Sequence, residues 1–363
     1  MRPIYQFGAI FLVLLVAGWW FFQWQGLPST KAADFTIQDV ISKLPNPNTA
    51  ECVVEIGSFI SEPDVLGPHS EGAIGEYNGN HFLVSGFSHY LQNHLLTSPR
   101  VDQLPREQRH WVPVAQQAPI NGSHFQAAIT GPLMWIAGGY IGDSPGKATD
   151  TLWRYNMQTD VWSEGTKLPS KRAGGGFVAL GSELHYVSGL APDRETNLTE
   201  HISLDTQTQE GWKVVSEFPR SRAHFQTVNI GGFLYAVGGM KGHDKTRVDV
   251  PHVDVYHPEY GQWLAVAGLP ESRSHAEMGT FEFEDRIIVV GGRVGSRILE
   301  SDSSILEYNP YKNEWRHVGS LPMGMYGGFA FVKEGRLYAG GGGRIWREPN
   351  IKSWSAKIGM ACE

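Results

Sequence analysis

A short apolar run that stops on glycine recurs along this chain at a nearly fixed interval. The clearest copy is Phe233-Leu-Tyr-Ala-Val-Gly-Gly239. Others are Trp135-Ile-Ala-Gly-Gly139, His185-Tyr-Val-Ser-Gly189, Ile287-Ile-Val-Val-Gly-Gly292 and Leu337-Tyr-Ala-Gly-Gly341, with a weaker first copy at Phe82-Leu-Val-Ser-Gly86. From Gly86 onward the closing glycines are 53, 50, 50, 53 and 49 residues apart. A period near fifty points to a repeat architecture, in which each unit cannot bury its apolar face alone and stacks on its neighbours.

Other residues keep step with the glycine. Trp111, Trp162, Trp212, Trp263 and Trp315 follow it by 23 to 25 residues. Tyr155, Tyr256 and Tyr308 stand seven before three of these tryptophans, and Pro119, Pro169, Pro219, Pro270 and Pro322 stand seven or eight after. An apolar run into Gly-Gly, then Tyr, then Trp resembles the kelch motif, and the resemblance spans about residues 52–362. It implies an all-β, six-bladed kelch-type β-propeller, each repeat forming one four-stranded blade. The blades fall near 69–119, 120–169, 170–219, 220–270, 271–322 and 323–362. The resemblance implies no activity, because kelch propellers host enzymes, adhesion modules and scaffolds alike.

The amino terminus is of another kind. Residues 3–30 carry no charged side chain, and Ile4 to Trp24 is mainly apolar, about the twenty residues a helix needs to cross a bilayer. Arg2 precedes it and Trp19, Trp20, Phe21, Phe22 and Trp24 cluster at its far end, as in a helix with a cytoplasmic start and an interfacial aromatic belt. The reading is a transmembrane anchor over 1–24, a stalk over 25–51 with a short helix near Phe35 to Lys43, and a propeller over 52–363. A cleaved signal peptide is the alternative. Either places the propeller outside the cytoplasm, periplasmic or extracellular.

The last repeat is short, with only 13 residues from Gly341 to Trp354. Cys52 to Phe59 has a strand-like pattern and no blade of its own. Residues 52–60 are therefore expected to complete the last blade as its outer strand, antiparallel to a strand near 352–358. That pairing brings Cys52 beside Cys362, the only two cysteines. A disulfide suits an extracytoplasmic compartment, and in the chain-entropy model it stabilises by roughly 4–5 kcal/mol.

Propeller geometry gathers the segments that lead into the innermost strands, and the loops between second and third strands, around one mouth of the channel. The lead-ins carry His69, Glu71, His124, Arg172, Arg222, His224, Arg273, His275, Glu277 and Tyr326. The loops carry Arg194, His243, Arg293 and Arg344 among others. For this acidic chain, of net charge −7, two readings of the cationic mouth stand. Each Arg or His is a strut bonded to neighbouring blades, or His69, His124, Arg172, Arg222, His224, Arg273, His275, Tyr326 and Arg344 form a ligand site for an anion, since arginine's fork suits carboxylate and phosphate. The leading function is binding of a glycan or protein ligand at this mouth. The alternative is an enzyme similar to the sialic-acid mutarotases, with Glu71 and Glu277 as acid/base candidates.

Other chemistry is not indicated. The net charge of −7 and a pI near 6.1 argue against a general nucleic-acid binder. The terminal cysteines leave no room for the Cys–Tyr crosslink of galactose-oxidase relatives. No Cys-x-x-Cys or His-Glu-x-x-His is present, so no metal and no cofactor are expected. Asn121-Gly-Ser and Asn197-Leu-Thr match the glycosylation pattern, the second being the better candidate.

Overall fold

Each repeat turns its glycine signal into a folded sheet in the same way. In the fourth, Gln226–Ile230 runs into Gly231 and Gly232, whose φ angles of 57° and 88° make the tight turn, a conformation glycine adopts without strain. Phe233–Val237 returns beside it, followed by Val253–His257 and Gln262–Val266, all antiparallel. The computed structural model describes residues 34–92, 94–295, 301–344 and 348–362. The expected anchor over 1–24 and the first part of the stalk lie outside these. Among the described residues, no helix is long and apolar enough to cross a membrane.

Among the described residues six larger sheets follow one another along the chain, five with their four strands in chain order and the last completed by strands from residues 53–62. Their first strands are Ala73–Tyr77, Ala127–Thr130, Gly176–Leu180, Gln226–Ile230, Thr280–Phe283 and Phe329–Lys333. All six line one central cavity of about 930 Å³, contributing among others Ile74, Ala128, Val178, Val228, Phe281 and Val332. The hairpins between first and second strands, and between third and fourth, lie at one end of this channel, the hairpin end. The lead-ins and the loops between second and third strands lie at the other, the loop end.

The seven-residue spacing of Tyr and Trp now has a physical reason. Across the hairpin of the third and fourth strands Tyr155 pairs with Trp162, Tyr256 with Trp263 and Tyr308 with Trp315. Their ring centroids are 4.7, 5.2 and 5.1 Å apart, contacts worth about 0.5–1.5 kcal/mol beyond burial. Three of the tryptophans also tie sheet to sheet: Trp212 donates to the Thr166 carbonyl, Trp263 to Ser216 and Trp315 to the Ala267 carbonyl.

The closure is as the short last repeat requires. Ser353–Ala361 lies between Arg336–Gly340 and Val53–Ile56, with Val53 opposite Ala361 and Ile56 opposite Ile358. Ile60–Glu62 continues along the same strand. Cys52 and Cys362 form a disulfide with Cα atoms 4.2 Å apart.

Residues 34–51, within the expected stalk over 25–51, pack on the propeller. The helix Ile37–Ile41 forms where expected, its start fixed by the Thr36 N–H donating to the Asp39 carboxylate (2.6 Å). Phe35, Val40 and Leu44 are buried with Ile230, Phe233 and Tyr235, because a helix with an apolar stripe finds cover on the nearest sheet. Pro45 rests on Gly231, and Asn46 donates to Asp285 (2.8 Å). Gly231 and Asp285 belong to first hairpins, so this segment covers the hairpin end.

Candidate functional site

At the loop end every lead-in has a left-handed residue at the same ring position, and the first has a second one at His69 (φ 47°). The ring residues are Glu71 (φ 55°), His124 (62°), Gly174 (63°), His224 (53°), His275 (58°) and Gly327 (59°). Backbone bonds run from one to the next. The N–H of His124 donates to the Glu71 carbonyl (2.7 Å), Gly174 to His124 (3.1 Å) and His224 to Gly174 (2.8 Å). Gly327 donates to His275 (2.9 Å), and Glu71 donates to Gly327 (2.9 Å), returning to the first lead-in. Glycine takes this conformation freely, whereas a non-glycine residue there costs of order 1–3 kcal/mol. Two of the six positions use glycine, so the other four hold a side chain where the backbone would favour none.

Those four side chains form a dense polar group. His224 stacks on His275 (4.1 Å between centroids), His275 stacks on Tyr326 (4.5 Å), and His124 meets His224 edge-on (4.8 Å). His243, from the loop between the second and third strands of the fourth sheet, stacks on His224 at 5.3 Å. Glu71 Oε2 lies 3.1 Å from His124 Nδ1, and Glu277 Oε1 lies 3.0 Å from His224 Nδ1.

Above them is a cup of about 370 Å³. Glu71, His124, His275 and Tyr326 line its floor, and Arg194, His243, Arg247 and Arg293 line its wall. Burial, then the neighbouring Glu277 charge, pushes Glu71 up to about 8. Burial raises Glu277 to about 7. Burial, reinforced by nearby histidines and arginines, holds His124, His224 and His275 well below the ordinary imidazole value, and His243 down to about 4. At neutral pH the floor is thus largely uncharged, and the charge of the cup resides in its arginines.

The three wall arginines differ. Arg293 is clamped by Asp249 through two nitrogens. Arg194 bonds Asp244 (2.9 Å) and the Pro145 carbonyl (2.6 Å) and lies over the Tyr140 ring (4.2 Å). Arg247 makes no ion pair among the described residues, and its Nε is buried without a hydrogen-bond partner.

Of the residues that the sequence offers for the site, Glu71, His124, His275 and Tyr326 reach the cup, and His224 stands directly behind them. Six do not line it, and the basic ones among them correct the anion reading at those positions. Arg222 is fully buried, bonded to Asp254 (2.7 Å) and to the carbonyls of Gly238 and Ala236, and faces the Phe218 ring at 4.6 Å. Arg172 pairs with Glu200 (2.6 Å), Arg273 with Asp302 (2.6 Å) and His69 with Asp102 (2.8 Å). Each stands two residues before its ring residue and points into its own sheet, where a buried cation requires a carboxylate. Arg344 is exposed and pairs with Glu348 (3.3 Å). Glu277 is behind His224 rather than on the cup. Asn197 accepts a bond from the Gly242 N–H (2.9 Å), so it braces the 240–251 loop instead of standing free for a glycan. Arg247, which the sequence reading passed over, sits in that loop outside the repeat register.

A family model described as the kelch motif matches residues 122–169 and 276–322. These repeats are kelch motifs. Among curated proteins, Kelch-like protein 23 of Homo sapiens is 24% identical over 237 residues, covering 64% of this chain and 39% of that protein. Kelch-like protein 36 of Rattus norvegicus is 29% identical over 161 residues, covering 44% and 25%. The chain thus spans under half the length of these relatives. The solved structure of YjhT superposes with a TM-score of 0.64 at 15% identity, covering 83% of this chain and 99% of that one. At that identity the likeness shows the fold, an all-β kelch propeller.

Proposed function

We propose that this is a six-bladed kelch propeller, anchored by residues 4–24 with the propeller outside the cytoplasm, that binds an acidic glycan unit in the loop-end cup. Six phased glycines, six sheets on one channel and the six left-handed ring residues support the blade count. The Cys52–Cys362 disulfide supports an oxidising compartment. The observation that carries the binding reading is Arg247, a guanidinium on the cup wall with no carboxylate partner among the described residues and a buried Nε without a hydrogen bond. A half-buried cation so placed favours a ligand that brings the anion. The cup's volume suits one sugar ring with a carboxylate.

The test is calorimetric titration of the intact chain with N-acetylneuraminate and glucuronate against neutral glucose. Binding of a sugar acid, weakened at least about tenfold by Arg247→Ala, supports the reading. Absence of binding, or equal binding by the variant, refutes it. A second reading, anomer exchange of the bound sugar as in the sialic-acid mutarotases that the sequence resembles, draws on Glu71, a carboxyl on the cup floor that stays protonated near neutrality. It requires that the chain speed α/β exchange seen by NMR and that Glu71→Gln remove the effect.

A further inference from the structure

We propose that His124, His224 and His243 form a binding site for a late first-row transition-metal ion, of the Zn²⁺ or Cu²⁺ class, at the floor of the cup. One ligand atom from each lies within 4.8 Å of the other two. The three come from distant parts of the chain, two from ring positions and one from the 240–251 loop, so no short motif could announce them.

The outer contacts of the three imidazoles match what metal-binding histidines need. His124 Nδ1 is bonded to Ser123 Oγ (2.7 Å), His224 Nδ1 faces Glu277 Oε1 (3.0 Å), and His243 Nδ1 is bonded to Asp244 Oδ1 (2.5 Å). Oxygen partners on Nδ1 of His124 and His243 leave Nε2 as the lone-pair donor there, with Arg194 Nη2 also 3.2 Å from His243 Nδ1. His224 adds a second observation. Both of its ring nitrogens are buried with no hydrogen-bond partner among the described residues, and the residue is 1% exposed. A buried nitrogen left without a partner is destabilising. A phenyl ring would stack as well without that cost, and glycine at the equivalent Gly174 and Gly327 shows that the ring closes without a side chain. What phenyl and glycine cannot supply is a lone pair.

Donor type selects the class of ion. Three imidazoles suit zinc, copper or nickel and not magnesium or calcium, which take oxygen. Bonds of 2.0–2.1 Å in a tetrahedral arrangement put the nitrogens about 3.4 Å apart, a contraction the His243 loop can supply by closing inward. Glu71 and His275, which with His224 also bring ligand atoms within 4.8 Å of one another, offer a fourth donor. The side facing the cup stays open to water or a ligand oxygen. The proposal shares the cup with the glycan reading but stands on different residues.

The experiment titrates the full chain, stripped with a chelator, with Zn²⁺ alone by calorimetry, and records the electron paramagnetic resonance spectrum with Cu²⁺ alone. The expected result is one Zn²⁺ per chain and a Cu²⁺ spectrum with coupling to three nitrogens. His243→Ala, a loop change, and separately His124→Gln lower Zn²⁺ affinity at least about tenfold, the scale that even outer contacts reach. Circular dichroism checks that each variant is folded. Arg247→Ala retains Zn²⁺ whether or not it loses sugar acid, which separates failure of this proposal from failure of the other. No Zn²⁺ uptake by the intact chain, or affinity unchanged in both folded histidine variants, overturns it.

Discussion

Arg222 and His224 are one residue apart and belong to different machines. Arg222 points outward into the fourth sheet and ends on Asp254 and backbone carbonyls. His224 turns through a positive φ, points toward the axis and ends on other histidines. The same division holds for Arg273 and His275. Around the loop end there are thus two concentric circles, an outer one of ion pairs internal to each sheet and an inner one of ring residues beneath the cup. Both are rich in basic residues, but each outer one is matched to a carboxylate of its own sheet, whereas the inner ones meet mainly one another. The lesson is that a cationic sequence cluster says little until each charge has been matched to its partner.

Three experiments bear on that division. The largest effect is expected at Arg222→Ala, which leaves Asp254 buried with only Arg220 beside it. The loss is about 3 kcal/mol, read as a fall in the urea midpoint, while Arg247→Ala on the inner side stays within about 0.5 kcal/mol. A stability loss at Arg247 matching that at Arg222 would erase the distinction.

The second uses acid. His185 and His201, on adjacent strands of the third sheet, share a bond of 2.9 Å. Burial holds His185 down to about 4 and His201 well below its ordinary value. Both folded values lie under the unfolded one of about 6.5, so the unfolded chain takes up protons first as pH falls. Their contribution is therefore complete above pH 6.5 and declines as pH drops toward 4. Denaturation midpoints at pH 7 and 4.5 should differ less in a His185→Gln, His201→Gln double variant than in the parent, and an unchanged difference would show that these histidines do not carry it. The smallest effect belongs to Arg344→Ala. Its exposed pair with Glu348 is worth under about 0.5 kcal/mol, and neither stability nor cup binding should move measurably.

The framework was legible because it is written in repeats. Glycine marked the ends of second strands, Tyr and Trp marked a hairpin, and the short last repeat with the lone cysteines marked the closure. The lead-ins were legible as a place but not as a set of directions. Side-chain direction there hangs on a positive φ at a non-glycine residue, which only comparison with Gly174 and Gly327 in the aligned repeats could have disclosed. Arg247 was not legible at all, because it lies in a loop between second and third strands, away from the glycine, Tyr, Trp and Pro positions that the repeats share. The burial of Phe35, Val40 and Leu44 was hidden for a related reason: three apolar residues among polar ones read as a linker until a sheet is there to cover them.

The amino-terminal segment has one more consequence. Asp34 and Lys43 are fastened to Gln262 and Glu259, beside the third-to-fourth hairpin of the fourth sheet. The chain therefore joins the ring from behind, on the side opposite the cup. The hairpin end of the channel is thus already covered by the chain's own residues 34–46, and a bulky molecule can approach the cup without meeting this segment.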